Sequence, residues 1–334
     1  MSYNLNSGYG RALANALHGV IPTFGRVFIV VDIDDAGEDK YNRMQELFQP
    51  DRAGQVRFFT DLKSAYDATT SNNNDIILLD ADGTHDLDAG MLTVSKNRVH
   101  FIGMDGGDRL IQQGAKIQLG DNTADAAATI SVSGTRCSFR NLKILNGGTH
   151  ANSVSAVIGE GDEGTLWKNC SFQKTSDLDQ AAVSNFECRS DSATFIDCEF
   201  GFDTLTISAA RPNFLLKASG ATRAKNLRMR DCTFTVASTE ATAQHIKVAT
   251  TASLNFTNVF KDCVFLNSLV GSAAALNDAV TSVSSLVEGS MLFINPASEA
   301  SEFCSAVTDQ VKVIGPGMDG TNPAQKIGIA LTPA

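Results

Sequence analysis

Apolar positions along this chain follow no single long period. They recur instead in a short motif that reads Phe139-Arg-Asn-Leu-Lys-Ile144, Trp167-Lys-Asn-Cys-Ser-Phe172, Phe195-Ile-Asp-Cys-Glu-Phe200, Met229-Arg-Asp-Cys-Thr-Phe234 and Phe260-Lys-Asp-Cys-Val-Phe265. A weaker forerunner stands at Phe101-Ile-Gly-Met104 and a decayed copy at Phe293-Ile-Asn-Pro296, so that successive copies start 28 to 38 residues apart. Self-similarity on that period is the mark of stacked repeats. Within each copy the Cys and the final Phe are two apart and share one face of a strand. The first aromatic lies three before the Cys, which is the wrong parity for an unbroken strand. A left-handed residue at the Asn/Asp restores the phase, because these types tolerate that conformation best among non-glycines. The pattern predicts strand, one-residue bend, strand, with all three apolar groups turned inward.

Between copies the chain is rich in Ser, Thr, Val, Ala and Gly, in runs such as Thr129-Ile-Ser-Val-Ser133 and Leu205-Thr-Ile207. These lack the 3.6-residue periodicity that paired helices require. The expected fold is therefore all-β, a parallel β-helix of about six to seven coils over residues 75–315, each coil carrying three short strands. At roughly 4.8 Å per coil the rod spans on the order of 30 Å. Cys170, Cys198, Cys232 and Cys263 are expected to stack as an internal ladder, with Trp167, Phe195 and Phe260 beside them in the core.

Residues 1–60 fall outside the repeat and read as an N-terminal arm and α/β docking segment. Gly25-Arg-Val-Phe-Ile-Val-Val31 has the pattern of a buried strand, 39–48 that of a helix ended by Pro50, and Val56-Arg-Phe-Phe59 that of another strand. Gly8, Gly10 and Gly19 point to an extended arm with a short helix at 11–17. Residues 61–74 read as a capping helix and loop, with Thr60 or Asp61 capping a helix at 62–69. A solenoid end exposes core and unpaired strand edges, so a cap is expected there. At the far end 296–310 reads as a second cap, 311–314 as a last strand, and 316–334 as a tail with an edge strand at 326–331.

Composition narrows the partners. The hydrophobic fraction of 43% suffices for a continuous core, and the net charge of −10 argues against nucleic acid as a partner. No run approaches the length of a membrane span, and the N-terminus lacks a secretory pattern, so a protein that stays in the cytoplasm or leaves by lysis is expected. Seven cysteines, an odd number, argue against a disulfide framework. Without a Cys-x-x-Cys or a matching His, the repeat cysteines read as packing thiols rather than metal ligands. No cofactor is expected.

The stretch Asp80-Ala-Asp82-Gly-Thr-His85-Asp86-Leu-Asp88 partly mimics a calcium loop, which makes Asp80, Asp82, Asp86 and Asp88 the metal candidates. The bidentate Glu such a loop needs is replaced by Met91, and a simple turn fits better. Asp32, Asp34 and Asp35 read as another turn. Asp197, Asp231 and Asp262 recur at the bend, where closely spaced like charges raise pKa values or recruit a cation. Lys168, Arg230 and Lys261 stand one before the bend, and Asn141, Asn169 and Asn295 fill it elsewhere, which favours a bend-forming role. Arg211, Lys217, Lys247 and His245 are candidate bases, but the sequence joins none of them to a carboxylate pair of the kind glycosidases use. Phosphate-binding, dinucleotide and hydrolase signatures are missing, and with one Trp and four Tyr the chain is poor in sugar-stacking side chains. The expectation is a chain that is not an enzyme.

Asp75-Ile-Ile-Leu-Leu-Asp-Ala-Asp-Gly-Thr-His85 and Leu92-Thr-Val-Ser-Lys-Asn-Arg-Val-His-Phe-Ile-Gly103 resemble the opening coils of right-handed, pectate-lyase-like β-helix proteins. The segment before them is similar to the short α/β leader of a group of tailed-bacteriophage virion proteins. It runs from Phe24-Gly-Arg-Val-Phe28 through Leu47-Phe48, Val56-Arg-Phe-Phe-Thr60 and 65–74. That resemblance implies a capsid-surface decoration, cement or head-spike protein, trimeric, docked through 1–60 on a major capsid protein or other virion protein. It implies assembly in the host cytoplasm and release by lysis, and it transfers no catalytic residue. The alternative is a tailspike-type glycan-binding protein or polysaccharide depolymerase, lyase or hydrolase, whose ligand is a host surface glycan.

Overall fold

The computed structural model describes residues 25–32, 57–104, 114–119, 126–176, 183–207, 211–219, 224–239, 243–249 and 258–269, apart from single positions at 82, 88, 89 and 162. Beyond these it describes Asn42 and Glu46, both helical, and the strand backbones at 254–255, 273–277, 285–288, 291–294, 311–314 and 328–330. The expected arm and helix at 1–24, Asp34, Asp35, Asp82, Asp88, Asn295, Cys304 and the expected cap at 296–310 lie outside the described residues.

The chain is an all-β, right-handed parallel β-helix. Among the described residues sheet A has eleven strands (Ser138–Arg140 one of them), sheet B nine (Lys143–Asn146 one of them) and sheet C seven (Ser155–Gly159 one of them), and seven coils contribute a strand to all three. Sheet A begins before the repeat: Val27–Val30 pairs in parallel with Asp75–Leu79, and Phe58–Phe59 pairs in turn with Val27–Val30. At the other end Val311–Ile314 closes sheet A and Gly328–Ala330 closes sheet B.

The corner from sheet A to sheet B is the one-residue left-handed bend. Asn141, Asn169, Asp197, Asp231 and Asp262 have φ of 54°, 51°, 54°, 54° and 52°. A second left-handed row enters sheet A five residues earlier, at Arg136, Gly164, Ser192 and Asn226, with φ of 56°, 68°, 60° and 53°. Each three-residue strand of sheet A is thus clamped between two left-handed residues. Neither bend interrupts the hydrogen-bond ladder: Asn169 N–H donates to the Ile196 carbonyl at 2.9 Å, and Ser192 N–H to the Lys225 carbonyl at 2.8 Å, each one coil on. In the second coil Gly103 takes the corner position, where a Cβ would lie 2.0 Å from the Asn141 carbonyl oxygen. The copy expected at Phe293 is out of register. Val287 is the partner of Phe260 and Leu292 that of Phe265, so the true copy is Val287-Glu-Gly-Ser-Met-Leu292. Val287 there stands where the other copies carry an aromatic or Met, which hid it from a search for aromatics.

The interior is built from ladders. Phe101, Phe139, Trp167 and Phe195 stack along sheet A, with Phe139 and Trp167 centroids 4.0 Å apart. Phe172, Phe200, Phe234 and Phe265 stack along sheet B at 5.0, 4.7 and 4.8 Å. Cys170, Cys198, Cys232 and Cys263 are fully buried beside them, and Phe260 with them. Each thiol donates to the carbonyl two residues back, as from Cys170 to Lys168 at 3.4 Å. Burial pushes the Cys198 and Cys232 thiols well above their ordinary value, which keeps them protonated and inert.

The rod is capped by the helix Leu62–Ala68, with Asp61 as N-cap accepting from Lys63 N–H and Ser64 N–H. Tyr66 extends the aromatic stack over Phe101 at 6.2 Å, and its hydroxyl accepts from Ser95 and Lys96 N–H at 2.7 and 2.8 Å. Lys96 Nζ returns to the helix and satisfies the carbonyls of Tyr66, Asp67 and Thr69. Asp75, fully buried, accepts from Arg26 N–H and Arg26 Nη2, both at 2.8 Å, which ties the first strand to the first coil. Two outcomes check this account. Trp167→Ala is expected to lower stability by about 3–5 kcal/mol in urea unfolding. Asp197→Gly should be close to neutral while Asp197→Val costs at least ~1 kcal/mol; equal costs would contradict the left-handed corner.

Candidate functional site

Strands of sheet C turn Val157, Phe186 and Phe214 inward, so the residues between them face out. Ile158, Glu187, Leu215 and Lys247 form one such column, by strand register. The next outward column holds Glu160, Arg189 and Lys217, each one coil beyond the last, because they follow the register partners Gly159, Cys188 and Leu216. The columns are tied together. Glu187 is fully buried and accepts from Arg189 Nε at 2.6 Å and Lys217 Nζ at 3.3 Å, with a second contact from Arg189 Nη2. Arg189 Nη1 also reaches Glu160 at 2.9 Å. Exposure rises outward: the Glu187 side chain is at 0%, Arg189 at 15%, Lys217 at 37% and Glu160 at 46%. Glu187 is therefore the anchor. The groups it orients, a guanidinium and an ammonium with a carboxylate beside them, form a row along the rod axis.

At the corner from sheet B to sheet C lies a buried polar network. Lys174 sits on the inward side of its strand, two beyond Phe172, and is fully buried. Its Nζ donates to Asn146 Oδ1 at 3.2 Å, to Ser176 Oγ at 2.5 Å and to the Gly148 carbonyl. Arg211 donates to the carbonyls of Ser176 at 2.5 Å and Lys174 at 3.1 Å. Burial, and after it the neighbouring Arg211 charge, pull Lys174 down to about 7. Further along the same corner Asn185 Oδ1 accepts from Lys174 N–H, and Asn185 Nδ2 donates to Asn213 Oδ1 at 2.8 Å. Asn213 Nδ2 then meets His245 Nδ1 at 3.1 Å. That contact leaves the proton on Nε2 of His245, which is buried without a partner.

The sequence candidates are distributed as follows. Asp80 is buried at the end of its strand while Asp86 is exposed, and among the described residues no three His, Cys, Asp or Glu side chains converge on a metal position. Asp32 accepts from Thr84 N–H at 2.8 Å, which binds the leader to the first turn. Asp197, Asp231 and Asp262 all occupy left-handed corners, and Asp231 meets its neighbour Arg230 at 3.2 Å. Of the candidate bases, Lys217 is joined to a carboxylate, that of Glu187, and Arg211 and His245 belong to the buried corner network. Glu160, Glu187 and Arg189 were not singled out from sequence. Their one signal was charge recurring at the coil spacing on strands that otherwise read as apolar.

No protein-family model and no curated protein matches the chain. Among solved structures, the pectin methylesterase of Aspergillus niger in deglycosylated form is similar at 13% identity and a TM-score of 0.49, over 93% of each chain. Pectin methylesterase PemA from Erwinia chrysanthemi follows at 12% and 0.48, over 87% of this chain and 93% of that one. Pectate lyase Pel9A is similar at 12% and 0.33, over 87% and 79%. At such identities the likeness is one of fold. These neighbours are enzymes, and they correct the expectation that the chain is not one: poverty in Trp and Tyr and the absence of known motifs are no ground for excluding catalysis on this scaffold.

Acid stability offers a direct check on the buried histidines. Burial, helped by Arg140 and opposed by Asp75, lowers His100 to about 4, and burial lowers His245 to about 3. The unfolded chain takes up these protons near pH 6.5, the folded chain only near 4 and 3. Stability is therefore undiminished above pH 6.5 and falls as pH drops toward 3. His100→Asn/His245→Asn should lose less stability between pH 6.5 and 4 than the parent chain in urea titrations, and identical losses would contradict the assignment.

Proposed function

We propose that the protein acts on a polysaccharide, as a glycan-binding protein or depolymerase, with the outer face of sheet C as its site. The observation that carries this is the row Glu160, Arg189 and Lys217, held from beneath by buried Glu187. A sugar polymer needs a line of convergent polar groups at regular spacing, and a β-helix supplies one group per coil. The row also holds the types that eliminative cleavage of a uronate polymer uses: a base to take the proton beside the sugar carboxylate as the glycosidic oxygen leaves, and cations to stabilise the negative charge that develops there. Arg189 is pre-aligned by two carboxylates, so little side-chain freedom is lost when it meets a ligand. The setting implied by the leader belongs to the same proposal. A trimeric rod docked by its N-terminal segment on a virion protein, the capsid included, would present this face to a host surface glycan.

Purified protein tested against pectin, pectate and bacterial exopolysaccharides is expected to bind or cleave at least one. Glu187→Gln and Lys217→Met, checked for folding by circular dichroism, should each weaken binding or turnover at least about tenfold. A parent chain inert to the whole panel, or variants indistinguishable from it, would overturn the proposal.

A further inference from the structure

The corner between sheets A and B carries charge that the sheet C row does not use. Lys116 and Lys143 stand opposite each other in adjacent strands of sheet B. Arg140 and Lys168 are likewise register partners in adjacent strands of sheet A. The two pairs flank Asn141 and Asn169, whose side chains are joined by a hydrogen bond from Asn169 Nδ2 to Asn141 Oδ1 at 3.0 Å. Further along the rod the corner residue becomes Asp197, Asp231 and Asp262, and a carboxylate returns beside the cations there. Four basic side chains thus gather where the corner is an amide.

Among the described residues none of these four forms an ion pair, whereas Arg26, Arg189, Lys217, Lys225 and Arg230 all do. Like charges directly opposite in neighbouring strands destabilise a sheet. Burial, and after it Lys116, hold Lys143 below the ordinary lysine value, against a smaller opposing pull from Glu199. Arg140 is half-buried, and its Nε is shielded from solvent with no hydrogen-bond partner. His100, the diagonal neighbour of Arg140, meets Ser138 Oγ through Nδ1 at 2.8 Å and keeps a buried, unpartnered Nε2. On a chain of net charge −10, cations and idle donors have collected at one corner; among the described residues no carboxylate pairs with the four, and Glu199 stands two coils on from Lys143 in the same column.

We infer that this corner binds a linear carboxylated polysaccharide laid along the rod axis over Lys116, Lys143, Arg140 and Lys168. The cations recur once per coil, at roughly 4.8 Å. They match a polymer bearing one carboxylate per sugar better than one whose phosphates are spaced more widely. The net charge of −10 disfavours a polyanion as dense as duplex nucleic acid. The inference rests on the glycan reading above and adds the ligand's charge and a second contact line around the corner from sheet C.

The test is binding of the full chain, by calorimetry and affinity electrophoresis, to alginate, polygalacturonate, hyaluronate, neutral dextran, neutral galactomannan and duplex DNA at several salt concentrations. Expected is binding to a carboxylated polymer that weakens with salt and falls at least about tenfold in Lys116→Glu/Lys143→Glu. Lys116→Gln/Lys143→Gln should lose affinity less steeply, Lys143→Arg should retain it, and the thermal midpoints should show all variants folded. Carboxylate binding unchanged in the Glu variant, binding of neutral glycans alone, or DNA held as tightly as any glycan would overturn the inference while leaving a glycan or polyanion function standing. A parent chain that binds neither charged nor neutral glycans would overturn the glycan reading and this inference with it.

Discussion

The structure depends on a backbone constraint: two residues in the left-handed region, five apart, repeated once per coil. They fix the length of every sheet A strand between positions 136 and 231 and turn the chain through both of its tight corners. Because their N–H groups still donate to the next coil, the bends cost conformational strain but no hydrogen bonds. Asn and Asp bear that strain at modest cost, while Arg136 and Ser192 bear it at a higher one. Parallel stacking offsets this, since each coil that repeats the bend places another aromatic ring on the stack.

Once the corners are set, chemistry has few places left to go. Inward positions are taken by stacked rings and thiols, where any unpaired charge would be expensive. The exceptions inside, Lys174 and His245, lie at the sheet B to sheet C corner, where Asn146, Asn185 and Asn213 supply partners. Charges that can meet a ligand are confined to outward columns, and the stacking turns them into lines at one group per coil. Such lines suit an extended polymer better than a compact metabolite. That is why the sheet C row and the cationic corner both point toward a glycan.

The fold was legible because its corner residues are chemically narrow. Asn or Asp followed by Cys marks the sheet A to sheet B bend in four coils, and Asp61 marks the cap. The companion bend was illegible because Arg, Gly, Ser and Asn fill it, and nothing in residue type announces it. The terminal copy was misplaced because Phe293 belongs to a strand of sheet B, as the register partner of Leu266, and resembles in sequence the first aromatic of a sheet A copy. The sheet C row was missed for another reason. Glu187 sits in Ser184–Cys188, a strand buried on both faces, with Arg189 two residues on, while Lys217 and Glu160 lie one coil away and are brought to them only by register. Lys116 and Lys143 likewise become neighbours through register alone.

The most direct measurement is an experimental structure of the full chain with a bound oligosaccharide from whichever polymer it takes. The account predicts sugar density parallel to the rod axis, with ring hydroxyls or carboxylates within hydrogen-bond distance of Arg189, Lys217 and Glu160 while Glu187 keeps both of its cationic partners. Density confined to the rod's ends, or a ligand lying elsewhere with the Glu160, Arg189 and Lys217 row untouched, would contradict it.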